Sequence, residues 1–231
     1  MTTRLRDPAE LLSCPDRLRL AAVPLVPEIS LYLPDDERAF RIQMQQEAEA
    51  SPSAPYWPPF WASAWAGGQA LARYVLDHDV VAGRRVLDIA SGSGLVAIAA
   101  ARAGAASVVA NDVDPRAITA IELNAEANGV PVATRLGDLL SGSGGDAEVV
   151  LAGDVLYTPD MVDRMGSFFD RVAARGGRVY VGDPARGGLS HPSLEVVLSY
   201  RVSMLTAPED ARIERCQVLQ PRGQTARRWS T

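Results

Sequence analysis

One stretch limits what this 231-residue chain can fold into: Arg85-Val86-Leu87-Asp88-Ile89-Ala90-Ser91-Gly92-Ser93-Gly94-Leu95-Val96-Ala97. An apolar, β-branched run meets an acid, then a loop of small residues, then an Ala-rich segment with helical spacing. That order predicts a strand, a tight turn and a helix. Gly92 and Gly94 let the turn close and leave bare backbone for a ligand to lie against. A helix opening near Gly94 aims unpaired N–H groups and a partial positive charge at that ligand. Gly92-x-Gly94-x-x-Ala97 satisfies the dinucleotide fingerprint, so an NAD-dependent oxidoreductase is one reading. Asp88 weighs against it. An anion-binding loop gains nothing from a carboxylate at its mouth, whereas a ligand with an α-ammonium does. The plainer reading, a βα turn whose glycines serve geometry alone, has to be weighed against the residues that follow.

A hydrophobic content of 47% supplies a sizeable core, enough for one large domain or a domain with an extension. The formal net charge of −5, without a long basic run, argues against a nucleic-acid partner, which needs clustered Lys and Arg. Cys14, Cys216, His78 and His191 show no ligand spacing, so no metal site is expected. The cysteines read as ordinary thiols in a reducing compartment. The first residues lack a long apolar core of a signal peptide, and no run approaches a membrane span. The expected location is cytoplasmic, with no membrane partner.

Residues 1–52 read as an N-terminal extension and residues 53–231 as the main domain. In the extension, Pro24, Pro27 and Pro34 interrupt an apolar run and predict short edge strands or extended arms. A polar helix is expected over Asp35–Ala50. The segment 53–68 holds all the tryptophans except Trp229. It is an aromatic wall beside a cationic ligand, or a Pro/Trp plug in a groove. A helix follows over 69–76, with Leu71, Tyr74 and Val75 on one face. Strands are then expected at 85–89, 107–110, 132–136, 148–152 and 177–181, with helices at 94–103, 116–128 and 159–174. His191-Pro192 is expected to open a further helix. Residues 200–206 and 213–218, joined through 207–210, predict a terminal antiparallel hairpin. The alternation predicts an α/β fold, a doubly wound, Rossmann-like sheet of seven strands.

Four successive strand ends carry an acid: Asp88, Asp112, Asp138 and Asp154. Asp112 lies 18 positions after Gly94, near the offset at which an acid binds ribose hydroxyls. Asp114-Pro115 reads as a helix cap with proline at the first position, and Thr158-Pro159 repeats the device. Asp138 either accepts from an adenine amino group or is a solvated turn acid. Asp154 and Tyr157 follow the continuously apolar Val149-Val150-Leu151. They suit the orienting of an amine, or they are a turn acid and a packed tyrosine.

The order of elements resembles the class I, seven-β-strand methyltransferases that use S-adenosylmethionine (SAM), over about residues 55–220. Asp88-x-x-x-Gly92-x-Gly94 fits their loop, with Ser91 and Ser93 where such enzymes often carry a third glycine or a cysteine. The block from Pro58-Pro59-Phe60-Trp61 through Trp65-Ala66-Gly67-Gly68 to Tyr74 resembles a narrower family. These are the bacterial lysine methyltransferases that modify the β-subunit of electron transfer flavoprotein. Asp154-Val155-Leu156-Tyr157 is similar to the Asp/Glu-x-x-Tyr/Phe signature of protein lysine methyltransferases, and Gly182-Asp183-Pro184 also fits. The resemblance implies SAM as cofactor, held by Trp61, Trp65, Asp88, Ser91, Gly92, Gly94, Asp112, Val113, Asp138 and Leu139. It implies Asp154 and Tyr157 as the catalytic pair. The implied acceptor is a protein lysine, with a small-molecule amine as the alternative.

Overall fold

A computed structural model of the chain describes residues 18–50, 58–184, 191–203 and 213–224; Cys14, Trp57, Trp229 and the 207–210 connection lie outside these. Strands β1 (Leu18–Val23) and β2 (Val26–Pro34) pair antiparallel as a hairpin of their own, and helix α1 (Glu37–Ala50) follows. A single 3-10 turn, Phe60–Ala62, leads into α2 (Ala66–Asp77). Then come β3 (Arg85–Ile89), α3 (Leu95–Arg102), β4 (Ser107–Asp112), α4 (Pro115–Ala127) and β5 (Ala133–Leu136). The chain continues with β6 (Val149–Gly153), α5 (Pro159–Ala174), β7 (Arg178–Asp183), β8 (Leu194–Ser203) and β9 (Ile213–Pro221).

These last seven strands form one sheet in the order β5-β4-β3-β6-β7-β9-β8. The first five run parallel, β9 is antiparallel to β7, and β8 is antiparallel to β9. Successive parallel strands move outward one way from β3 and the other way from β6, and β9 lies between β7 and the edge strand β8. Such a reversal opens a crevice beyond the carboxyl ends of the two central strands.

The central strands alternate between two buried faces, as a covered parallel sheet requires. Val86, Val149 and Leu151 face a core shared with α2, α3, α4 and the β1–β2 hairpin. Leu87, Ile89, Val150 and Ala152 face Phe168, Phe169 and Val172 of α5. The same parity puts Asp88 on the α3 face. The hairpin is tied to α4 by asparagines: Ser30 N donates to Asn128 Oδ1 at 3.1 Å, and Tyr32 N to Asn124 Oδ1 at 2.8 Å.

The expected caps are present: Asp114 accepts from Arg116 N, and Thr158 from Met161 N. The helix expected from His191-Pro192 is not. Residues from Leu194 onward form β8, with Leu194 and Val202 buried and a register shift between Val196 and Leu198. Val196-Val197 favours a pleated surface, and pairing with β9 along its length supplies the partner that a lone segment lacks. His191 lies before the strand, with Nδ1 2.6 Å from Ser193 Oγ. β4 also runs on to Asp112, because Asn111 and Asp112 pair with Arg135 and Leu136 of β5.

Helix α2 lies unusually close to the sheet. A Cβ on Gly153 would meet Gly68 Cα at 2.9 Å, and one on Gly182 would fall against the Gly67 carbonyl oxygen. Backbone on both sides leaves nothing flexible to give way. Gly182→Ala should therefore lower stability by roughly 1–3 kcal/mol in urea unfolding, with α2 displaced. An unchanged midpoint would mean that the helix can slide without cost.

Candidate active site

The strand ends at the reversal enclose a cavity of about 410 Å3. One wall is the turn after β3. Gly92 and Gly94 are left-handed, with φ of +55° and +83°. A Cβ on Gly94 would meet Ile121 at 3.3 Å, so this glycine also seats the start of α3 against α4. It is not among the residues lining the cavity; Ser91, Gly92 and Ser93 are. The other sequence-derived candidates do line it: Trp61, Trp65, Asp88, Asp112, Val113, Asp138, Leu139, Asp154 and Tyr157.

The four acids meet at this rim in different states. Asp88 is buried, and its Oδ2 accepts from Ser91 Oγ and, at 3.0 Å, from Ala97 N. Burial pushes its carboxyl up to about 7, against the lowering effect of those two hydrogen bonds, and the Asp112 charge adds a smaller push. Asp112 accepts from Gly92 N at 2.9 Å and from Asp114 N at 3.0 Å. Burial raises its pKa too, opposed by these backbone donors. Asp138 pairs with Arg164 at 2.6 Å and accepts from Leu140 N. Asp154 Oδ2 accepts from Gly68 N at 2.9 Å, in the first turn of α2.

Asp154 has φ +56°, and it and Ala90 are the two non-glycine left-handed residues among those described. Both directly follow a central strand at this rim. Backbone held in so sparsely populated a conformation costs of order 1–3 kcal/mol and is characteristic of functional positions.

The tryptophan segment divides its duties. Trp61 is buried against Phe40, with ring centroids 5.8 Å apart at 87°, so it does plug a groove. It also lines the cavity, and its buried indole N–H has no hydrogen-bond partner among the described residues. Trp65 donates to the Phe60 carbonyl at 2.8 Å. Phe60, Asn111 and Ser63 are among the lining residues not singled out as site candidates from the sequence. Phe60 stands beside Tyr157, Asn111 ties β4 to the backbone of Arg135 and Gly137, and Ser63 donates to Glu37 Oε2 of α1 at 2.9 Å. Phe60 had a signal, its place inside the Trp block; Ser63 shares that place, but its pairing with Glu37, 26 residues away, had none. Among the described residues, no cluster of metal-ligating side chains converges, and no helix is long and apolar enough to cross a membrane.

Residues 69–178 match the family described as ribosomal protein L11 methyltransferase (PrmA). Over 191 residues the chain is 42% identical to the electron transfer flavoprotein beta subunit lysine methyltransferase of Rattus norvegicus, covering 80% of this chain and 71% of that one. The protein of the same name from Mus musculus is 41% identical over 196 residues, covering 82% and 73%. A solved structure described as a candidate RNA methyltransferase from Pyrococcus horikoshii matches with a TM-score of 0.52 at 16% identity, covering 78% of this chain and 94% of that one. That is a likeness of fold.

The raised Asp88 carboxyl has a measurable consequence. In the unfolded chain it ionises near 3.8, and in the folded protein at about 7. Between these values unfolding releases a proton, so stability is lost as pH rises through the window and no further above it. Asp88→Asn keeps an acceptor for Ser91 and Ala97 and removes the titration. Relative to that variant, the wild type should lose roughly 2–3 kcal/mol of unfolding free energy between pH 5 and pH 8. Parallel pH curves would mean that Asp88 ionises alike in both states.

Proposed function

The chain belongs to the class I SAM-dependent methyltransferases, in the family of the electron transfer flavoprotein β-subunit lysine methyltransferases, and from that membership we propose that it methylates a lysine ε-amine of a protein acceptor, an electron transfer flavoprotein β-subunit foremost. The membership sets aside the oxidoreductase reading of the glycine fingerprint. The observation that carries the proposal is a shared cavity: Asp154 and Tyr157 open onto the same space as the glycine loop.

The residues present fit SAM. The left-handed Gly92 keeps a side chain out of the wall, and the acids suit a cofactor that carries an ammonium and a sulfonium. The unpartnered Trp61 N–H offers a donor. In our reading Asp88, Ser91, Gly92 and Gly94 serve the methionine end, and Trp61 and Trp65 flank it. Asp112 and Val113 serve the ribose, and Asp138 and Leu139 the adenine side. SAM supplies an activated methyl group on a good leaving group.

The task left to the chain is alignment, a proximity effect. Asp154 orients the acceptor amine and stabilises the positive charge that develops on nitrogen, and Tyr157 shapes the channel. A lysine near its reference pKa is mostly protonated, so the site must also favour the neutral amine or take up its proton.

Incubation with methyl-labelled SAM and a SAM-depleted lysate should label one protein of flavoprotein-subunit size. Label confined to small molecules would replace this reading with a small-amine methyltransferase. Asp154→Asn retains an acceptor for Gly68 N, so it should leave SAM binding within about threefold while lowering kcat about 100-fold or more. Full activity in that variant would overturn the assignment. Trp61→Phe should weaken SAM binding about tenfold by calorimetric titration through loss of the indole donor; unchanged affinity would leave Trp61 a plug.

A further inference from the structure

Three aromatic rings meet at the open side of the cavity. Phe60 lies 6.1 Å from Tyr157 between centroids, at 42°, and 6.1 Å from Trp65 on its other side, at 61°. Neither arrangement stacks one ring face on another. Phe60 remains 45% exposed and Tyr157 48% exposed. Large apolar side chains clustered in solvent mark an interaction site more often than scattered ones do. These line the cavity together with Asp154 and reach the surface, so a side chain entering towards the strand end passes them.

The rings favour a cation. The Arg41 guanidinium already lies over Trp65, 5.9 Å from the ring centroid, so one member of the cluster accommodates positive charge. Arg41 occupies Trp65, which leaves Phe60 and Tyr157 to meet whatever enters. The carboxylates of Asp112 and Asp154 on the same cavity disfavour an anion there.

We propose that Phe60 is a specificity-determining residue of the acceptor side, its ring face and that of Tyr157 receiving the alkylammonium group of the incoming side chain. This rests on the acceptor being an amine, and it adds a residue and a physical basis for selection. Methylation leaves the positive charge on nitrogen while adding apolar surface, so an alkylated ammonium suits the same faces.

Two measurements test it. The first is direct titration of the protein, saturated with S-adenosylhomocysteine, with Nα-acetyl-trimethyllysine methylamide and with its neutral tert-butyl isostere. The wild type should prefer the cation about fivefold or more. Phe60→Tyr should keep the preference and Phe60→Leu should lose it, with S-adenosylhomocysteine affinity unchanged in both. Equal binding of cation and isostere, or a Phe60→Leu protein that matches the wild type, overturns the proposal. A Phe60→Leu protein that loses S-adenosylhomocysteine affinity also overturns it, by putting the ring on the cofactor side.

The second measurement is transfer kinetics on the labelled protein acceptor, where Phe60→Leu should raise KM about fivefold or more at little change in kcat. If no protein is methylated but the cation preference stands, the protein-acceptor reading fails and the aromatic mouth survives. If proteins are methylated and the preference is absent, the reverse holds.

Discussion

The hydrogen bond from Gly68 N to Asp154 Oδ2 is the joint on which the site depends. Helix α2 opens after Trp65, whose side chain makes no cap hydrogen bond, so the first turn needs an acceptor from elsewhere. Asp154 supplies it from 86 residues away, and negative charge is favoured at that end of a helix. The contact requires backbone to lie on backbone, and Gly67, Gly153 and Gly182 make room for it. The left-handed conformation of Asp154 is held by this bond and by donation of its own N–H to the Gly182 carbonyl at 2.8 Å. One carboxylate thus fixes the end of β6, the start of α2 and, through α2, the stance of Trp65 and Phe60.

Four acids at equivalent places in the sequence have become four different groups. Strand parity sends Asp88 under α3, where burial opposes its charge. Asp112, on the same face one strand over, spends its oxygens on the backbone of the glycine turn and on the approach to α4. It therefore stiffens the very loop it faces. Asp138 follows a short edge strand and is exposed enough to be held by Arg164. Asp154 accepts from the first turn of a helix 86 residues earlier in the chain. The alternation of the sheet and the distance of each strand from its edge decide these roles.

The turn from β3 to α3 was legible because its causes are local: an apolar run, small residues and two left-handed glycines within a dozen positions. The parallel strands were legible for the same reason, and Asp114 and Thr158 are caps that a few adjacent residues announce. What escaped the sequence is non-local. β8 reads as a helix start until β9 is present to pair with it. Residues 111 and 112 read as a turn until β5 extends the ladder past them. The gathering of the acids at one rim was visible as a pattern, but the raised pKa values of Asp88 and Asp112 depend on burial, which no spacing reports. The aromatic block was visible as composition. Its division into a buried Trp61, a Trp65 under Arg41 and an exposed Phe60 emerges only when α1 is in place.

That last dependence separates two properties of the site. Phe40 packs on Trp61, Glu37 accepts from Ser63, and Arg41 covers Trp65, so α1 holds the aromatic wall from behind. The β1–β2 hairpin reaches the other wall through Asn124, whose Oδ1 accepts from Tyr32 N while its Nδ2 donates to the Ser93 carbonyl at 2.8 Å. The glycine turn gets its shape from its own left-handed residues and from Asp88 and Asp112, whichever residues line the mouth. Substitutions at Glu37, Phe40 or Arg41 of α1 can therefore reshape the approach for an acceptor without touching the turn. A substitution at Asn124 cannot, because that side chain joins the hairpin directly to the turn.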